Sequence, residues 1–219
     1  MHVDRGGLEP EKFPMVDCKG MPLGSARERL SVMVRPWGTA RPKEVQHETL
    51  PTPDARGEIA PGVRLVDTGM LTRLAAISKH FPGKSLSFVS GYRPQSRGSN
   101  HQTGRAVDMR VVGVSNEELV AFCKTLKDTG CGYYPNSSFV HVDVRNPKTG
   151  SVSWIDASGP GEAPRYVAGW PPPKLHSTDP SEKGAAPVPP PVEEEPHDDI
   201  PAEIVPKTPL GEIPQHPAS

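Results

Sequence analysis

The chain has 219 residues, a formal net charge of -1 at pH 7 and 28 prolines. Near-neutral charge without long basic runs gives no electrostatic reason to expect nucleic-acid binding. No apolar run reaches the roughly 18 residues that a membrane-spanning helix needs, so we expect no membrane span. The first thirty residues also lack the apolar core of a secretory signal.

The distribution of proline predicts three parts in the chain. More than half of the prolines lie in residues 160–219, where no apolar periodicity is found. Such a stretch cannot bury enough surface to offset its ordering entropy, so we expect residues 159–219 to be a proline-rich disordered tail. Residues 1–27 are expected to be an irregular polar segment. Residues 28–158 then remain for one modest domain.

The first predicted elements of this domain are two short strands and a helix. The segments "RLSVMVRPWG" and "GVRLV" alternate in the manner of strands. Asp67 can cap a helix that ends at "FPG". Its apolar residues recur every three or four positions: Met70, Leu71, Leu74, Ile77 and Phe81. This period predicts that one face of the helix packs on a sheet.

Three further strands and a second helix follow. "KSLSFVSGYRP" is predicted to be a strand that enters a turn at Gly91, and "AVDMRVV" a second strand. Ser115 and Glu118 form a capping-box pattern that opens a helix, which we expect to end at Gly130. "SFVHVDVR" is the last predicted strand. This order indicates an α+β domain with an antiparallel sheet and helices packed on one side.

The three cysteines do not form a zinc-finger pattern, because no second close pair of Cys or His accompanies them. Cys123 lies on the apolar face of the second predicted helix. It is either a small core residue or the partner of Cys131 in a disulfide, which would fit an oxidising compartment.

One face of the last strand carries polar residues. His141 and Asp143 alternate with three valines, so they share the face opposite those valines. His101, in the loop "SNHQTGRAVDM", and Asp108, near the start of the next strand, add an imidazole and a carboxylate. Each residue alone has an ordinary structural explanation, but His101, Asp108 and His141 together form a set that zinc accepts. Three protein ligands leave a position for water, so we expect an open zinc site on the side of the sheet away from the helices.

These residues belong to a longer pattern. The run Ser99-x-His101-x-x-Gly104-x-Ala106-x-Asp108 is preceded by "SGYRP" and followed by "GYYPNSSFVHVD". This order of motifs resembles the zinc D-Ala-D-Ala peptidases of the LAS type, and within them the YcbK-like murein endopeptidases. The resemblance covers about residue 28 to Trp154. It implies that His101, Asp108 and His141 are the zinc ligands.

The resemblance also implies roles for neighbouring residues. Arg93 matches an arginine that faces the substrate, where a guanidinium binds a peptide carboxylate or stabilises an oxyanion. Ser99 matches a serine next to the zinc loop and is expected to contact a zinc ligand or the substrate. Three aromatic residues are expected to line the substrate groove, with plain packing as the alternative: Tyr133, Tyr134 and Trp154.

The chain departs from the family pattern in one respect. Many relatives carry a catalytic Glu or Asp three residues before the last histidine, or a histidine two before it. Here Ser138 and Phe139 occupy those positions. Asp143 is therefore the candidate either for the general base or for the acceptor that orients His141.

The leading functional hypothesis is a zinc metallopeptidase, a murein endopeptidase or carboxypeptidase. It would hydrolyse an amide bond in the peptide stems or crosslinks of peptidoglycan through zinc-activated water, with Asp143 as the base and Arg93 holding substrate charge. The alternative is a non-catalytic module that binds cell-wall peptide. A structural zinc domain is a weaker third possibility, because such sites usually have four protein ligands. A peptidoglycan substrate would place the chain in the periplasm or cell envelope, with the tail contacting the wall or another protein.

Overall fold

The computed structural model describes residues 1–43 and 57–171. Its elements in chain order are β1 (His2–Arg5), β2 (Leu8–Lys12), α1 (Gly24–Met33), β3 (Glu58–Ala60), β4 (Val63–Arg64), α2 (Thr68–His80), β5 (Ser85–Ser90), β6 (Ala106–Val111), α3 (Asn116–Cys123), β7 (Thr129–Tyr133), β8 (Val140–Val144) and β9 (Val152–Ile155). Most of the expected proline-rich tail lies outside the described residues, so its disorder stays a prediction.

Seven of the strands form one sheet, in the order β2-β1-β5-β6-β8-β7-β9, and β3 pairs with β4 separately. Neighbours in the large sheet are antiparallel except for two parallel pairs, β1 with β5 and β7 with β9. The α+β class expected from the sequence is therefore confirmed. The sheet is mixed, with antiparallel pairing at its centre.

The hydrophobic core lies between the sheet and the helices. Asp67 caps α2 as predicted, because its side chain accepts a hydrogen bond from the Gly69 amide at 2.8 Å. Buried apolar residues of all three helices join one cluster with those of the central strands: Leu30, Met33, Met70, Leu71, Leu74, Ile77, Leu86, Phe88, Val107, Met109, Leu119, Val140 and Val142. In the part of the chain that the structure describes, no helix has the length and apolar character needed to cross a lipid bilayer.

The N-terminal segment was expected to be irregular, and that expectation is wrong for residues 2–12. These residues form the β1–β2 hairpin, in which Arg5 pairs with Leu8 around Gly6 and Gly7. Both glycines have positive φ, at 57° and 86°, as a two-residue hairpin turn requires. The hairpin then joins the main sheet because β1 pairs with β5.

The segment "RLSVMVRPWG" was expected to be a strand, but its first residues form the second half of α1. The buried residues Ala26, Leu30 and Met33 recur at helical spacing and pack into the core. A short alternation of apolar and polar residues fits part of a helix as well as a strand. The helical spacing of the buried residues is therefore the better indicator of structure here.

The second helix also ends earlier than expected. The capping box of Ser115 and Glu118 is present, but α3 ends at Cys123. Gly130 lies in β7, which the sequence reading missed, as it missed β9. Cys123 and Cys131 form a disulfide that joins the end of α3 to the middle of β7. Cys18 is exposed and carries a free thiol.

Ordered contacts continue beyond residue 158, where the tail was expected to begin. The Ala157 amide donates to the Arg165 carbonyl at 2.9 Å, and the Val167 amide donates to the Ile155 carbonyl at 3.0 Å. Residues 165–167 therefore lie alongside the end of β9.

Candidate metal centre

Two neighbouring strands and one loop bring the predicted ligands together. Asp108 on β6 and His141 on β8 are directly paired residues of adjacent antiparallel strands. His101 lies in the loop that connects β5 to β6. The valines that alternate with His141 point into the core cluster, so the ligand side chains lie on the face of the sheet away from the helices.

One nitrogen or oxygen atom from each residue contributes to a small triangle. His101 Nε2 lies 3.2 Å from His141 Nδ1, His141 Nδ1 lies 3.0 Å from Asp108 Oδ1, and His101 Nε2 lies 3.5 Å from that oxygen. Tetrahedral zinc with bonds of about 2.0–2.1 Å to its ligands separates those ligands by about 3.4 Å. The three donor atoms therefore fit one face of a zinc coordination sphere.

Hydrogen bonds on the outer side of each ring fix the direction of its lone pair. His101 Nδ1 lies 2.6 Å from the Gly91 carbonyl oxygen. A carbonyl can only accept, so Nδ1 carries the proton and the Nε2 lone pair faces the other ligands. His141 Nε2 lies 3.1 Å from Asp143 Oδ2, which assigns its proton to Nε2 in the same way. Two lone pairs and a carboxylate oxygen converge at a distance where a cation would bind all three.

The ligand set is buried. His101 and His141 have no exposed surface, and Asp108 is 2 % exposed. Among the residues that the structure describes, these three form the group of His, Cys, Asp and Glu side chains that could hold a metal ion. An isolated buried carboxylate would favour its neutral form, so the charges around Asp108 decide its state.

Asp108 is held in its charged form. Burial raises the pKa of Asp108. In the absence of a cation, the charge and hydrogen bond of a protonated His101, the hydrogen bond of His141 and the charge of Arg93 outweigh this effect, and a bound cation would take the place of the imidazole protons. Its pKa therefore lies well below the ordinary value. Arg93 is buried, and its Nη1 lies 3.7 Å from Asp108 Oδ2. The predicted substrate arginine thus lies next to a predicted zinc ligand.

Asp143 lies on the far side of His141 from the donor triangle. Its Oδ2 accepts a hydrogen bond from Arg145 Nη2 at 2.6 Å as well as the one from His141 Nε2. Burial raises the pKa of Asp143, but the hydrogen bond from His141, the charge that His141 carries when no cation is bound, and the ion pair with Arg145 together lower it by more. The pKa of Asp143 is therefore below its usual value, so the carboxylate is charged and can accept both bonds.

Ser99 lies inside the loop that carries His101. Its hydroxyl donates to the Ser96 carbonyl at 2.9 Å and accepts from the Gln102 amide at 3.2 Å. The side chain is fully buried. These bonds link the residues on both sides of His101.

Two of the three predicted aromatic residues lie on the His141 side of the sheet. The Trp154 ring centre is 5.1 Å from that of His141, and the indole N–H donates to the Tyr134 hydroxyl at 3.3 Å. Both aromatic side chains are buried. Tyr133 belongs to the core cluster on the helix side and hydrogen-bonds Glu117 of α3, so of the two interpretations of Tyr133, groove lining or packing, the structure shows packing.

The sequence reading missed the glycines of β7. Gly130 pairs with Asp143 and Gly132 with His141. A Cβ on Gly130 would lie 2.3 Å from Asp143 Oδ2, and one on Gly132 would lie 2.7 Å from the Trp154 ring. The glycines therefore make the space that Asp143 and Trp154 occupy. The glycines at alternate positions of "TGCGY" are the sequence feature that could have indicated a strand with one face left open for neighbouring side chains.

Comparison with known proteins finds a peptidase family to which part of the chain is similar. Residues 64–149 match the peptidase family model described as peptidoglycan L,D-endopeptidase MepK. Over these residues the chain is similar to that family. The resemblance inferred from the motifs is thereby confirmed. The MepK-like segment runs from the end of β4 past β8, and contains the donor triangle, Arg93 and Arg145. β1, β2, α1, β3 and β9 lie outside it.

Two curated relatives show the extent of the similarity. The chain is 35 % identical over 88 residues to the probable peptidoglycan L,D-endopeptidase MepK of Haemophilus influenzae, covering 38 % of this chain and 47 % of the relative. It is 28 % identical over 96 residues to the peptidoglycan L,D-endopeptidase MepK of Escherichia coli K12, covering 37 % and 53 %. The chain thus spans about half the length of these relatives. No solved structure matches it.

Proposed function

We propose that the chain is a zinc-dependent peptidase that hydrolyses an amide bond in the peptide stems or crosslinks of peptidoglycan. The observation that carries this proposal is the triangle of converging donor atoms, which lies within the MepK-like segment. The names of the relatives, L,D-endopeptidases, make a bond between an L- and a D-amino acid the first substrate to test. Such a substrate would place the activity in the periplasm or cell envelope.

The metal would be held by His101, Asp108 and His141. Zinc bound there would supply a Lewis acid that polarises the scissile carbonyl and activates water for attack. Arg93 supports this chemistry because its guanidinium lies beside Asp108. In this position it would hold a substrate carboxylate or the negative charge that develops on the carbonyl oxygen.

Of the two roles considered for Asp143, the contacts favour the orienting one. The carboxylate faces His141 Nε2, whereas the donor triangle lies at Nδ1 on the other side of the ring. Its Oδ2 already accepts from both His141 and Arg145. We therefore assign Asp143 to fixing the tautomer and direction of His141.

The other residues predicted for the site would hold its loop in place or enclose it. Ser99 would brace the loop of His101 through its bonds to Ser96 and Gln102. Trp154 and Tyr134 would form the wall beside His141.

A second candidate is a module that binds cell-wall peptide without turnover. The orientation of Asp143 favours it, since that carboxylate faces away from the donor triangle. Ser138 and Phe139 stand at the positions where many relatives carry a base. Both candidates use the same metal centre, so metal content and peptide release must be measured together.

The deciding experiment measures zinc content and peptide release on the full chain. Peptidoglycan is incubated with the parent protein, with His141→Ala and with His80→Ala, and released peptides are followed by mass spectrometry. His80 is the matched control. It is the last residue of α2 and stacks on Phe122 of α3, on the helix side of the sheet. We expect one zinc per chain and released peptides from the parent and His80→Ala, and neither from His141→Ala.

Other results would redirect the assignment. Zinc binding without released peptides would favour the binding module. Full hydrolysis by a His101→Ala protein, or by a parent stripped of metal, would contradict the zinc mechanism.

A further inference from the structure

The backbone carbonyl that orients His101 lies in a turn that is held by residues outside the MepK-like segment of residues 64–149. Gly91 follows β5, and its carbonyl oxygen lies 2.6 Å from His101 Nδ1. The position of this one atom therefore sets the direction of the ring and of its Nε2 lone pair. Val89 and Tyr92, which lie on either side of Gly91, make three contacts with parts of the chain that precede residue 64.

The first contact is with the end of α1. The Tyr92 amide donates to the Val34 carbonyl at 2.8 Å. A Cβ on Gly91 would lie 2.3 Å from the Val34 Cβ and 2.7 Å from the Val34 oxygen. The cap of α1 thus lies directly against the turn, at a distance that only glycine permits.

Two side chains make the other contacts. The Trp37 indole N–H donates to the Val89 carbonyl at 2.7 Å. The Tyr92 hydroxyl donates to Glu58 Oε1 at 2.8 Å, and this bond is buried. The second Glu58 oxygen accepts from the Gly62 amide at 2.9 Å, so the carboxylate is itself fixed to the β3–β4 hairpin.

We propose that Val34, Trp37 and Glu58 form a positioning element for the metal centre. They hold the turn of residues 89–92 so that the Gly91 carbonyl keeps His101 Nε2 directed at Asp108 and His141. The functional unit is then larger than the family segment of residues 64–149, because that segment lacks all three positioning residues. The inference rests on the proposed function for the identity of the metal.

The test compares two tyrosines that each hydrogen-bond a glutamate. Tyr92→Phe removes the bond to Glu58, whereas Tyr133→Phe removes the bond to Glu117 on the helix side of the sheet. Both tyrosines are buried. Each change therefore removes one hydroxyl group and one tyrosine–glutamate hydrogen bond, and only Tyr92 is adjacent to Gly91, whose carbonyl contacts His101.

The first readout is zinc affinity of the full-length protein, by competition with a chelator. Loss of an outer-sphere partner of a ligating histidine typically weakens metal binding by about 10–100-fold. One step further out, we expect Tyr92→Phe to weaken zinc binding by roughly 10-fold and Tyr133→Phe to change it by less than about 2-fold. Equal affinities in the two variants would overturn the proposal.

A second pair of variants protects the test against a folding failure. Trp37→Phe removes the indole donor to Val89 while keeping an aromatic ring beside Arg5. Trp170→Phe is its matched control, because Trp170 is 39 % exposed. Weaker zinc binding in Trp37→Phe alone supports the proposal, and unchanged binding contradicts it.

The second readout needs no metal. The His101 Nδ1–H proton, observed by NMR in metal-free protein, should exchange slowly in the parent and in Tyr133→Phe, and at least several-fold faster in Tyr92→Phe. Equal exchange rates would overturn the positioning element. A parent that binds no zinc would instead overturn the proposed function, and the exchange rates would still decide this inference.

Discussion

The carboxylate of Asp143 joins the candidate metal centre to a cationic side chain. It accepts from His141 Nε2 and from Arg145 Nη2 through the same oxygen. A neutral amide in its place would accept more weakly and would no longer pair with the arginine. We therefore expect Asp143→Asn to weaken zinc binding by about 10–100-fold while the protein still folds. Competition with a chelator measures the change.

The control for this prediction is Arg145→Met, which leaves the bond between Asp143 and His141 in place. It should weaken zinc binding less than Asp143→Asn does. A variant Asp143→Asn with the zinc affinity of the parent would show that His141 is oriented by other contacts.

At this scale the sequence predicted which side chains lie close together, whereas their roles stay predictions. The motif spacing identified His101, Asp108 and His141, and strand alternation placed Asp143 on the face of His141. Alternation gives the face of a side chain but not the ring nitrogen that it contacts. The two roles of Asp143 could therefore be separated only by the direction of the His141 ring.

Strand β7 shows how an element can be adapted to its neighbour. Because a Cβ on Gly130 would lie 2.3 Å from Asp143 Oδ2, Gly130→Ala must displace that carboxylate or move the strand. We expect weaker zinc binding and a lower free energy of unfolding, the latter by about 1–3 kcal/mol, as for overpacked sites. Zinc competition and urea denaturation measure the two effects.

The matched control is Gly169→Ala, because a Cβ there would meet no heavy atom within 4 Å. It should leave both quantities nearly unchanged. Parent-like zinc affinity and stability in Gly130→Ala would show that the sheet absorbs the added methyl group without moving Asp143.

The disulfide joins α3 to the face of β7 turned away from the metal centre. Cys123 and Cys131 are separated by eight positions, and a loop of that size contributes about 2.5 kcal/mol in the chain-entropy model. Reduction should lower the free energy of unfolding by about this amount and leave zinc affinity unchanged, since Cys131 is buried in the core cluster. Urea denaturation tests the first statement and competition with a chelator tests the second, each with and without a reductant that does not bind zinc.

The elements differ in how far local sequence determines them. Helix α2 and the capping box of α3 were predicted because caps and apolar periods are local signals. Strand β7 was missed because its glycines leave space for the side chains of Asp143 and Trp154, which are distant from them in the sequence. The β1–β2 hairpin could have been predicted, since Gly6 and Gly7 form a common two-residue hairpin turn.

Considered as a whole, the molecule extends well beyond the segment that carries the family motifs. Buried residues Val3, Phe13, Leu30 and Met33 all precede residue 64 and join the same core cluster as the central strands. Sequence motifs concentrate at the site, so they could not show that the N-terminal part completes the sheet and core. The contacts that attach this part to the molecule can be tested separately.

Glu9 on β2 links the N-terminal hairpin to residues beyond α1. Its carboxylate accepts from Arg35 Nη2 at 2.6 Å and from Arg41 Nη1 at 2.7 Å. The Arg35 hydrogen bond is the largest cause that lowers the pKa of Glu9, from 4.5 to about 2. The charged form is therefore favoured in the folded protein over the unfolded chain. This stabilisation is present above pH 4.5 and is lost as the pH falls towards 2.

We therefore expect Glu9→Gln to lower the free energy of unfolding at pH 7 by less than about 1 kcal/mol, since the pair is partly solvent-exposed. The difference from the parent should stay constant from pH 7 to about 5 and shrink between about pH 4.5 and 2, because the parent then loses the same charge. Urea midpoints across this range measure it, with Lys12→Gln, an exposed change in the same strand, as the control. A difference that persists undiminished at pH 2.5 would mean that Glu9 contributes through packing, and that the hairpin is held without its charge.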